Sequence, residues 1–258
     1  MTQAVHSLDA RYYTDPQIFA GEQAGLFART WQFACHLSDL PSAGCYTSFE
    51  IGGESLFAVR GRDKQVRVFY NVCQHRAHQL VSGAGRSPTI TCPYHAWSYD
   101  FAGALRAAPN LDVVAGADKS KICLPEVRCE EFLGFLFVNL DVDAAPMESW
   151  FPGVRAELEE WVPNWAHLKP LEWVEIPEKC NWKVSVENYS ECYHCALNHL
   201  TFSNGIVKPE TYDIQPQGKC LRHTTECQNL DNMSYDIRSG FAHFDEYSSW
   251  YLWPLFSF

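Results

Sequence analysis

The chain has 258 residues, a net charge of −11 at pH 7 and a hydrophobic fraction of 47%. This composition is typical of a globular protein with a sizeable core, and the acidic balance, without a cluster of Lys and Arg, argues against a nucleic-acid partner. The N-terminus lacks the basic and apolar regions of a signal peptide, and no apolar run approaches the roughly 18 residues of a membrane span. We therefore expect a cytoplasmic protein without membrane association.

Helix and strand signals follow one another along the first half of the chain. Thr14, Pro16 and Gln17 predict a capped helix start, and the helix should run to about Arg29. Gly52-Gly53 lies between two strand-like stretches and predicts a hairpin. Strands are expected at 45–51, 54–60, 66–70, 89–92, 95–100 and along the apolar run 132–140. Residues from about 32 to 145 are therefore predicted to be all-β.

The second half of the chain mixes helices and strands. Residues 141–146 are a predicted linker, and 154–162 and 184–199 have helical character. Strands are expected again from Thr211 onward, including 251–258. We predict three segments: an N-terminal helix within residues 1–31, a small β domain over 32–150, and a mixed α+β domain over 151–258.

Two short motifs place one Cys and one His in each of two predicted loops. They are Cys73-Gln74-His75 and Cys92-Pro93-Tyr94-His95. A [2Fe–2S] cluster of the Rieske type takes two thiolates on one iron and two imidazoles on the other. A Cys2His2 zinc site is the alternative, but zinc fingers pair like ligands along the chain, so the order of ligands favours the cluster. His78 is interpreted as a loop residue, because the four ligand positions are already filled.

These motifs carry a resemblance to a known family. Residues 71–78 and 92–99 resemble the cluster loops of Rieske non-haem iron oxygenases, large (alpha) subunit. Respiratory-chain Rieske proteins have an additional Cys in each loop, which this chain lacks. The commonest oxygenase pattern has Gly where Ala77 and Ala96 stand, and this departure leaves the ligands unchanged. The resemblance implies an all-β Rieske domain, then the first part of an α+β catalytic domain with a helix-grip-like antiparallel sheet, on which the N-terminal helix packs.

A second group of possible ligands lies in the predicted helix 184–199. Glu191 and His194 are three residues apart and share a helix face. His194 and His199 are five apart, so at about 100° per residue both reach one metal only if the helix bulges or ends there. Two His and a carboxylate suit non-haem Fe(II), and a helix with polar decoration is the alternative. The resemblance implies that His194 and His199 bind a mononuclear iron and that Glu191 links His194 to the Rieske residue His95 of an adjacent subunit.

The third iron ligand is not assigned. In the family it is a carboxylate much farther along the chain, and Asp231, Asp236 and Asp245 lie too early to match it. The chain therefore resembles a C-terminally truncated form, either a fragment or a short product whose activity stays open.

Two further stretches, 191–195 and 207–212, resemble the branch of the family that acts on quaternary ammonium compounds, such as glycine betaine and stachydrine demethylases. Most of the family has Asp where Glu191 stands, and this branch has Glu. The resemblance implies activation of O2, hydroxylation of an N-methyl carbon of a betaine and loss of formaldehyde. Electrons from NAD(P)H would arrive through a separate flavin/ferredoxin-type reductase, and the subunits would form a homotrimer. Four aromatic residues are candidates for holding the cationic group, although each also suits the core: Tyr193, Phe202, Trp250 and Trp253.

Two other functions stay open. Aromatic-ring hydroxylation or choline oxidation is the rival within the enzyme class, and a stand-alone Rieske electron carrier is the rival outside it. The carrier predicts no second iron site, and residues 191–199 argue against it. The Gly-rich stretch 82–87 lies between the cluster loops and opens no helix, so it is not a dinucleotide site.

The cysteines are eleven in number and irregularly spaced. In a reducing compartment this pattern predicts free thiols plus a metal site, not a framework of disulfides. The C-x-x-C formed by Cys192 and Cys195 lacks a thioredoxin context, which argues against redox chemistry there. The remaining cysteines are interpreted as small core residues: Cys35, Cys45, Cys123, Cys129, Cys180, Cys220 and Cys227.

Overall fold

The computed structural model describes residues 7–228 and 245–258, so Asp231 and Asp236 lie outside the described residues. The chain divides into two units. The β unit comprises Gln23–Ala144 and Ala166–Leu171, and the α+β unit comprises Met1–Glu22, Ala145–Trp165 and Glu172–Phe258. Within the described ranges, no helix combines the length and the apolar character needed to cross a membrane. The predicted segment boundaries at 31/32 and 150/151 stay predictions.

The N-terminal helix is shorter than predicted and is split in two. Helix α1 spans Arg11–Thr14 and helix α2 spans Pro16–Gly25. Asp15 between them has an extended backbone, and its carboxylate accepts a hydrogen bond from the Gln17 N–H at 2.8 Å. Asp15, and not Thr14 as predicted, therefore caps α2, because an Asp side chain satisfies an otherwise unpaired amide of the first turn.

The β unit contains a seven-stranded antiparallel sheet with the strand order β1-β10-β9-β4-β3-β2-β5, and a small sheet with the order β6-β7-β8. Gly52 and Gly53 both have positive φ, as the tight turn of the β2–β3 hairpin requires. The strands are β1 (Gln32–His36), β2 (Cys45–Ile51), β3 (Glu54–Arg60), β4 (Val66–Tyr70), β5 (Ala84–Arg86), β6 (Ile90–Thr91), β7 (Ser98–Tyr99), β8 (Leu105–Ala107), β9 (Glu126–Phe132) and β10 (Phe135–Asn139). The hairpin and the strand at 66–70 agree with the prediction. The apolar run 132–140 is not one strand: it contains the end of β9, a turn at Leu133-Gly134 and the whole of β10.

Strand β3 is buried on both faces and separates two hydrophobic cores. Its side chains alternate, as they must in a strand. Phe57 and Val59 belong to a core that also contains Cys73 and Cys92, whereas Leu56 and Ala58 belong to the core on the other side. The cysteines of the predicted cluster are therefore part of one of the two cores of this unit.

The α+β unit consists of short helices and a four-stranded antiparallel sheet with the order β11-β12-β13-β14. The helices after α2 are α3 (Met147–Trp150), α4 (Val154–Trp161), α5 (Trp182–Tyr189), α6 (Cys195–Asn198) and α7 (Leu200–Gly205), and the strands are β11 (Asp213–Gln217), β12 (Cys220–Glu226), β13 (Glu246–Leu252) and β14 (Phe256–Ser257). A turn interrupts the predicted strand 251–258. The α+β class predicted from the sequence is confirmed by these helices and antiparallel sheets.

Two buried polar contacts anchor the helices of the α+β unit. Lys183 on α5 approaches Glu22 on α2, with 2.6 Å between Nζ and Oε1, and both side chains are at most 15% exposed. Glu157 on α4 accepts a hydrogen bond from Trp250 Nε1 at 3.0 Å. The helix that leads to Glu191 is thus tied to the N-terminal helix by a desolvated ion pair.

Two candidate metal centres

The loops that carry the four predicted cluster ligands have the same backbone geometry. Cys73 and Cys92 are buried, each 2% exposed, and each begins a closed turn. In both loops the cysteine N–H donates to the carbonyl five residues later, and the N–H four residues later donates back to the cysteine carbonyl, over 2.8–3.0 Å. The chain thus presents the two thiols from two matching turns.

Ala77 and Ala96 occupy the same position in these two turns, and both are left-handed, with φ of 54° and 60°. A left-handed backbone costs an L-residue with a Cβ about 1 kcal/mol, so glycine is the favoured residue there. The observed φ angles explain why the commonest pattern of the resembling family has Gly at these positions. The closing hydrogen bonds maintain each turn with alanine at this position.

The two histidines of the loops lie side by side at the surface. The rings of His75 and His95 have centroids 4.7 Å apart at 72°. His75 stacks on the buried ring of Trp97, 4.7 Å away at 11°, and the Tyr94 ring lies 3.9 Å from His95. Desolvation lowers the pKa of His95, and the neighbouring His75 lowers it further. Both effects favour neutral imidazole, which is the form that binds a metal.

A tyrosine hydroxyl reaches the sulfur of Cys73 inside the core. Tyr99 is fully buried, and its oxygen lies 3.4 Å from Cys73 Sγ. The Gln74 N–H donates to the same oxygen at 3.0 Å, so the hydroxyl hydrogen is left for the sulfur. Burial raises the pKa of Cys73, which keeps a metal-free thiol neutral. Sequence reasoning missed Tyr99, because its role depends on a contact between two loops.

Asn71, just before the first loop, was also missed. It is buried, and its side-chain oxygen accepts hydrogen bonds from the N–H groups of Leu80 and Val81 at 3.1 and 3.0 Å. Its amide nitrogen donates to the Val81 carbonyl at 2.8 Å. This one side chain closes the base of the first loop, and no local pattern in the sequence signals it.

The donor set of these loops fits one unsymmetrical [2Fe–2S] cluster. Two thiols lie in an apolar core next to a hydrogen-bond donor, and two imidazoles lie at the surface. A Rieske cluster needs this division between thiolate and imidazole ligands.

The predicted helix 184–199 is broken, and the break brings two histidines together. Helix α5 ends at Tyr189 and α6 begins only at Cys195. His199 leaves helical geometry, with φ −115° and ψ 56°, before α7 begins at Leu200. The Nε2 atoms of His194 and His199 are consequently 3.2 Å apart. Two histidines five residues apart can share one metal only if the helix bulges or ends between them, and α6 ends at Asn198.

Glu191 orients the first of these histidines. Its Oε1 lies 2.6 Å from His194 Nδ1, and its Oε2 accepts a hydrogen bond from the Tyr193 N–H. The hydrogen bond with His194 lowers the pKa of Glu191, so the side chain is a carboxylate near neutral pH. A carboxylate on the second nitrogen of a ligating histidine is the usual support of a metal site, because it holds the proton away from the metal.

Facing imidazole nitrogens suit a metal ion. With Nδ1 of His194 hydrogen-bonded to Glu191, its Nε2 is left as a lone pair directed toward His199. His199 Nε2 faces this atom, and two imidazole nitrogens directed at one point suit a shared Fe(II). In the part of the chain that is described, no group of three His, Cys, Asp or Glu side chains is placed to hold one metal ion; a Rieske cluster needs only two protein ligands on each iron. Among those residues the third ligand therefore stays unassigned.

The four candidate aromatic residues do not share one set of contacts. Tyr193 is 94% exposed, whereas Trp250 is buried against Trp161. Phe202 packs on Tyr247, and Trp253 packs on Trp182. Trp250 is therefore a core residue, which was the alternative to a role in holding the cationic group.

The cysteines depart from the predicted pattern in two respects. Cys123 and Cys180 are exposed and are not core residues, because they lie in connecting segments. Cys192 and Cys195 are joined by a disulfide, and the other nine cysteines are free.

Two protein families match the segments of the chain that contain the two candidate sites. Residues 30–118 match the Rieske [2Fe-2S] domain family, and residues 165–245 match the ring hydroxylating alpha subunit (catalytic domain). The chain is 44% identical over 205 residues to the carnitine monooxygenase oxygenase subunit of Escherichia coli (strain K12), covering 79% of this chain and 55% of that protein. It is 33% identical over 214 residues to the glycine betaine monooxygenase oxygenase subunit of Chromohalobacter salexigens, covering 82% of this chain and 47% of that protein.

Solved structures show the same likeness. A quaternary ammonium Rieske monooxygenase studied for carnitine oxidation by gut microbiota superposes with a TM-score of 0.84 at 32% identity, covering 95% of this chain and 65% of the other. Naphthalene 1,2-dioxygenase bound to phenanthrene superposes with a TM-score of 0.70 at 29% identity, covering 83% of this chain and 52% of the other. The chain spans about half the length of the two curated relatives, 55% and 47%.

A Rieske domain followed by catalytic-domain sequence defines the oxygenase subunits that join an iron–sulfur cluster to a mononuclear iron. The chain belongs to the Rieske non-haem iron oxygenases, large (alpha) subunit, and its similarity is to the quaternary-ammonium branch.

Proposed function

We propose that this chain belongs to the terminal oxygenase component of an enzyme that N-demethylates a quaternary ammonium betaine by oxidation. The observation that carries the proposal is the convergence of His194 and His199 beside Glu191 in a chain that also has both Rieske loops. Bound there, a [2Fe–2S] cluster supplies one-electron transfer, and a mononuclear Fe(II) supplies O2 activation and hydroxylation of an N-methyl carbon.

In this proposal the residues of the β unit hold and orient the electron-transfer group. Cys73 and Cys92 bind one iron as thiolates from within the core, and His75 and His95 bind the other at the surface. The stacking of Trp97 on His75 fixes that ring. Because no nucleotide motif is visible in the sequence, electrons from NAD(P)H come from a flavin/ferredoxin-type reductase.

The residues of the α+β unit hold the reactive iron. Glu191 keeps the proton of His194 on Nδ1, which leaves Nε2 free for the metal. The other carboxylate oxygen of Glu191, Oε2, accepts a hydrogen bond from the Tyr193 N–H, and the side chain is partly exposed to solvent. In a homotrimer, as the resemblance implies, Glu191 would link His194 to His95 of the adjacent subunit.

A quaternary ammonium substrate is favoured over an arene on two grounds. The identity of 44% to a carnitine monooxygenase subunit exceeds the 34% to a 2,4-dinitrotoluene dioxygenase component from Burkholderia sp. (strain RASC). The bridging position holds Glu191, the residue that the resemblance associates with this branch.

The test begins with metal content and then measures turnover. The iron-loaded chain should contain iron in excess of the two atoms of the cluster. His199→Ala should remove that excess while the EPR signal of the reduced cluster persists. His78→Ala is a matched control, since His78 is a loop histidine outside both ligand sets, and it should leave the iron content unchanged.

Turnover is measured as formaldehyde release with a reductase present, using carnitine, γ-butyrobetaine and glycine betaine against naphthalene. Formaldehyde from a betaine supports the proposal. Oxygen uptake with naphthalene alone would overturn the substrate class, and an unchanged iron content in the His199→Ala variant would overturn the second metal site.

A further inference from the structure

The disulfide between Cys192 and Cys195 encloses a proposed iron ligand. The two residues flank Tyr193 and His194, and their Cα atoms are 5.0 Å apart. Cys195 is buried, and Cys192 is half-buried. Disulfides are rare in reducing compartments, and those that form there are usually transient and catalytic or redox-sensing.

The disulfide coexists with the geometry of the proposed iron site. With the bond present, His194 Nδ1 lies 2.6 Å from Glu191, and His194 Nε2 lies 3.2 Å from His199 Nε2. The disulfide is therefore compatible with both imidazoles facing one point.

The backbone of Cys195 connects the two histidines. Its N–H donates to the Cys192 carbonyl at 3.1 Å, and its own carbonyl accepts hydrogen bonds from the His199 N–H at 2.9 Å and from the buried hydroxyl of Ser203 at 2.6 Å. A covalent link at Cys195 thus restrains both the turn that holds His194 and the start of the segment that holds His199.

We propose that Cys192 and Cys195 are a reversible, peroxide-responsive dithiol that locks the ligand turn when it is oxidised. The reaction is 2 R–SH + H2O2 → R–S–S–R + 2 H2O. One thiolate first attacks H2O2 to give a sulfenic acid and hydroxide, and the second thiolate then displaces a second hydroxide to form the S–S bond. The two protons released by the thiols convert both hydroxides to water. An added dithiol reverses the reaction by exchange and is itself oxidised to a disulfide.

A source of peroxide beside this dithiol follows from the proposed function. Two-electron reduction of O2 with uptake of two protons yields H2O2, and the proposed iron lies at His194, between the two cysteines. The iron as a source of peroxide rests on the proposed function, whereas the cysteine pair is inferred from the disulfide in the structure.

Differential alkylation of the intact, cluster-loaded protein tests the proposal. The protein is reduced, treated with H2O2, denatured with light N-ethylmaleimide, reduced again and labelled with heavy N-ethylmaleimide. Peptide mapping should find the heavy label on Cys192 and Cys195, and before alkylation the oxidised protein should weigh about 2 Da less, the mass of the two thiol hydrogens. Cys123 and Cys180, which are exposed and unpaired, are internal controls and should carry the light label.

Two variants and a second measurement distinguish a reversible dithiol from a permanent structural disulfide. Cys192→Ser and Cys195→Ala should each abolish heavy labelling of the remaining partner. Amide exchange of the peptide that covers 190–200 should be slower in the peroxide-treated protein than in the reduced protein, and this difference should vanish in Cys192→Ser.

Light label on both cysteines after peroxide, or their conversion to sulfinic acids, would overturn the proposal. Equal exchange rates in the two states would overturn the locking of the turn. None of these measurements requires turnover, so a chain without oxygenase activity leaves the dithiol proposal intact, and a negative labelling result leaves the oxygenase proposal intact.

Discussion

Replacing Tyr99 with Phe removes a hydroxyl that contacts a proposed ligand of the iron–sulfur cluster and that also accepts from the Gln74 N–H. The Tyr99 hydroxyl accepts from the Gln74 N–H at 3.0 Å, so its hydrogen is directed to Cys73 Sγ at 3.4 Å. Tyr99 is fully buried, and water has no access to replace the lost donor. The phenyl ring keeps the packing of the core, so the main change is loss of positive charge density beside a ligand sulfur.

The expected effect is a lower reduction potential. Reduction adds negative charge to the cluster and its sulfurs, so a donor to Cys73 stabilises the reduced state more than the oxidised state. If the two states differ by about 1 kcal/mol in the strength of this bond, within the range for hydrogen bonds in proteins, the potential of a one-electron couple falls by about 40 mV.

The assay is a redox titration of the loaded protein followed by EPR. Tyr46→Phe is the matched control, because Tyr46 packs against the same core and has no hydrogen bond to a ligand. An unchanged potential in Tyr99→Phe, with full cluster occupancy, would refute the assignment of the hydroxyl hydrogen to the sulfur.

Two further predictions concern stability. Lys183→Met leaves the largely buried Glu22 carboxylate without its cation. We therefore expect urea denaturation to show that the free energy of unfolding falls by about 3 kcal/mol. Adding Glu22→Gln should restore part of it, and an unchanged free energy of unfolding would mean that the pair is solvated. Burial lowers the pKa of His223 from its ordinary value of 6.5, so the unfolded state binds the proton first and the free energy of unfolding should fall as pH drops below 6.5. His223→Gln should flatten this slope in denaturation measured across pH, and an equal slope would contradict the reasoning.

Local patterns were sufficient to predict the hairpin and to propose the first ligand set. The hairpin β2–β3 follows from Gly52-Gly53 between alternating stretches, because the turn conformation is a property of those two residues. The Cys–His pairs could be recognised because each loop contains both ligands within four residues. In both cases the information lies within a few residues of the feature.

Features that depend on distant contacts were not predictable in this way. The apolar run 132–140 turns at Leu133 and Gly134, both with positive φ, although hydrophobicity alone indicates one continuous strand. Tyr99 acts on Cys73 across the pairing of two loops, and Asn71 closes a loop that ends ten residues later. Such contacts exist only after the sheet has formed.

Both proposed sites depart from regular backbone geometry at the ligands. Ala77 and Ala96 are left-handed in the cluster turns, and His199 interrupts two helices where the second site forms. The left-handed conformation of the two alanines costs free energy that the closing hydrogen bonds of each turn must offset. In the second site the Cys195 carbonyl accepts from the His199 N–H, and Glu191 contacts His194. The helical character of 184–199 therefore predicted the wrong backbone conformation at the proposed iron ligands. His194 and His199 face each other because the helix is interrupted there.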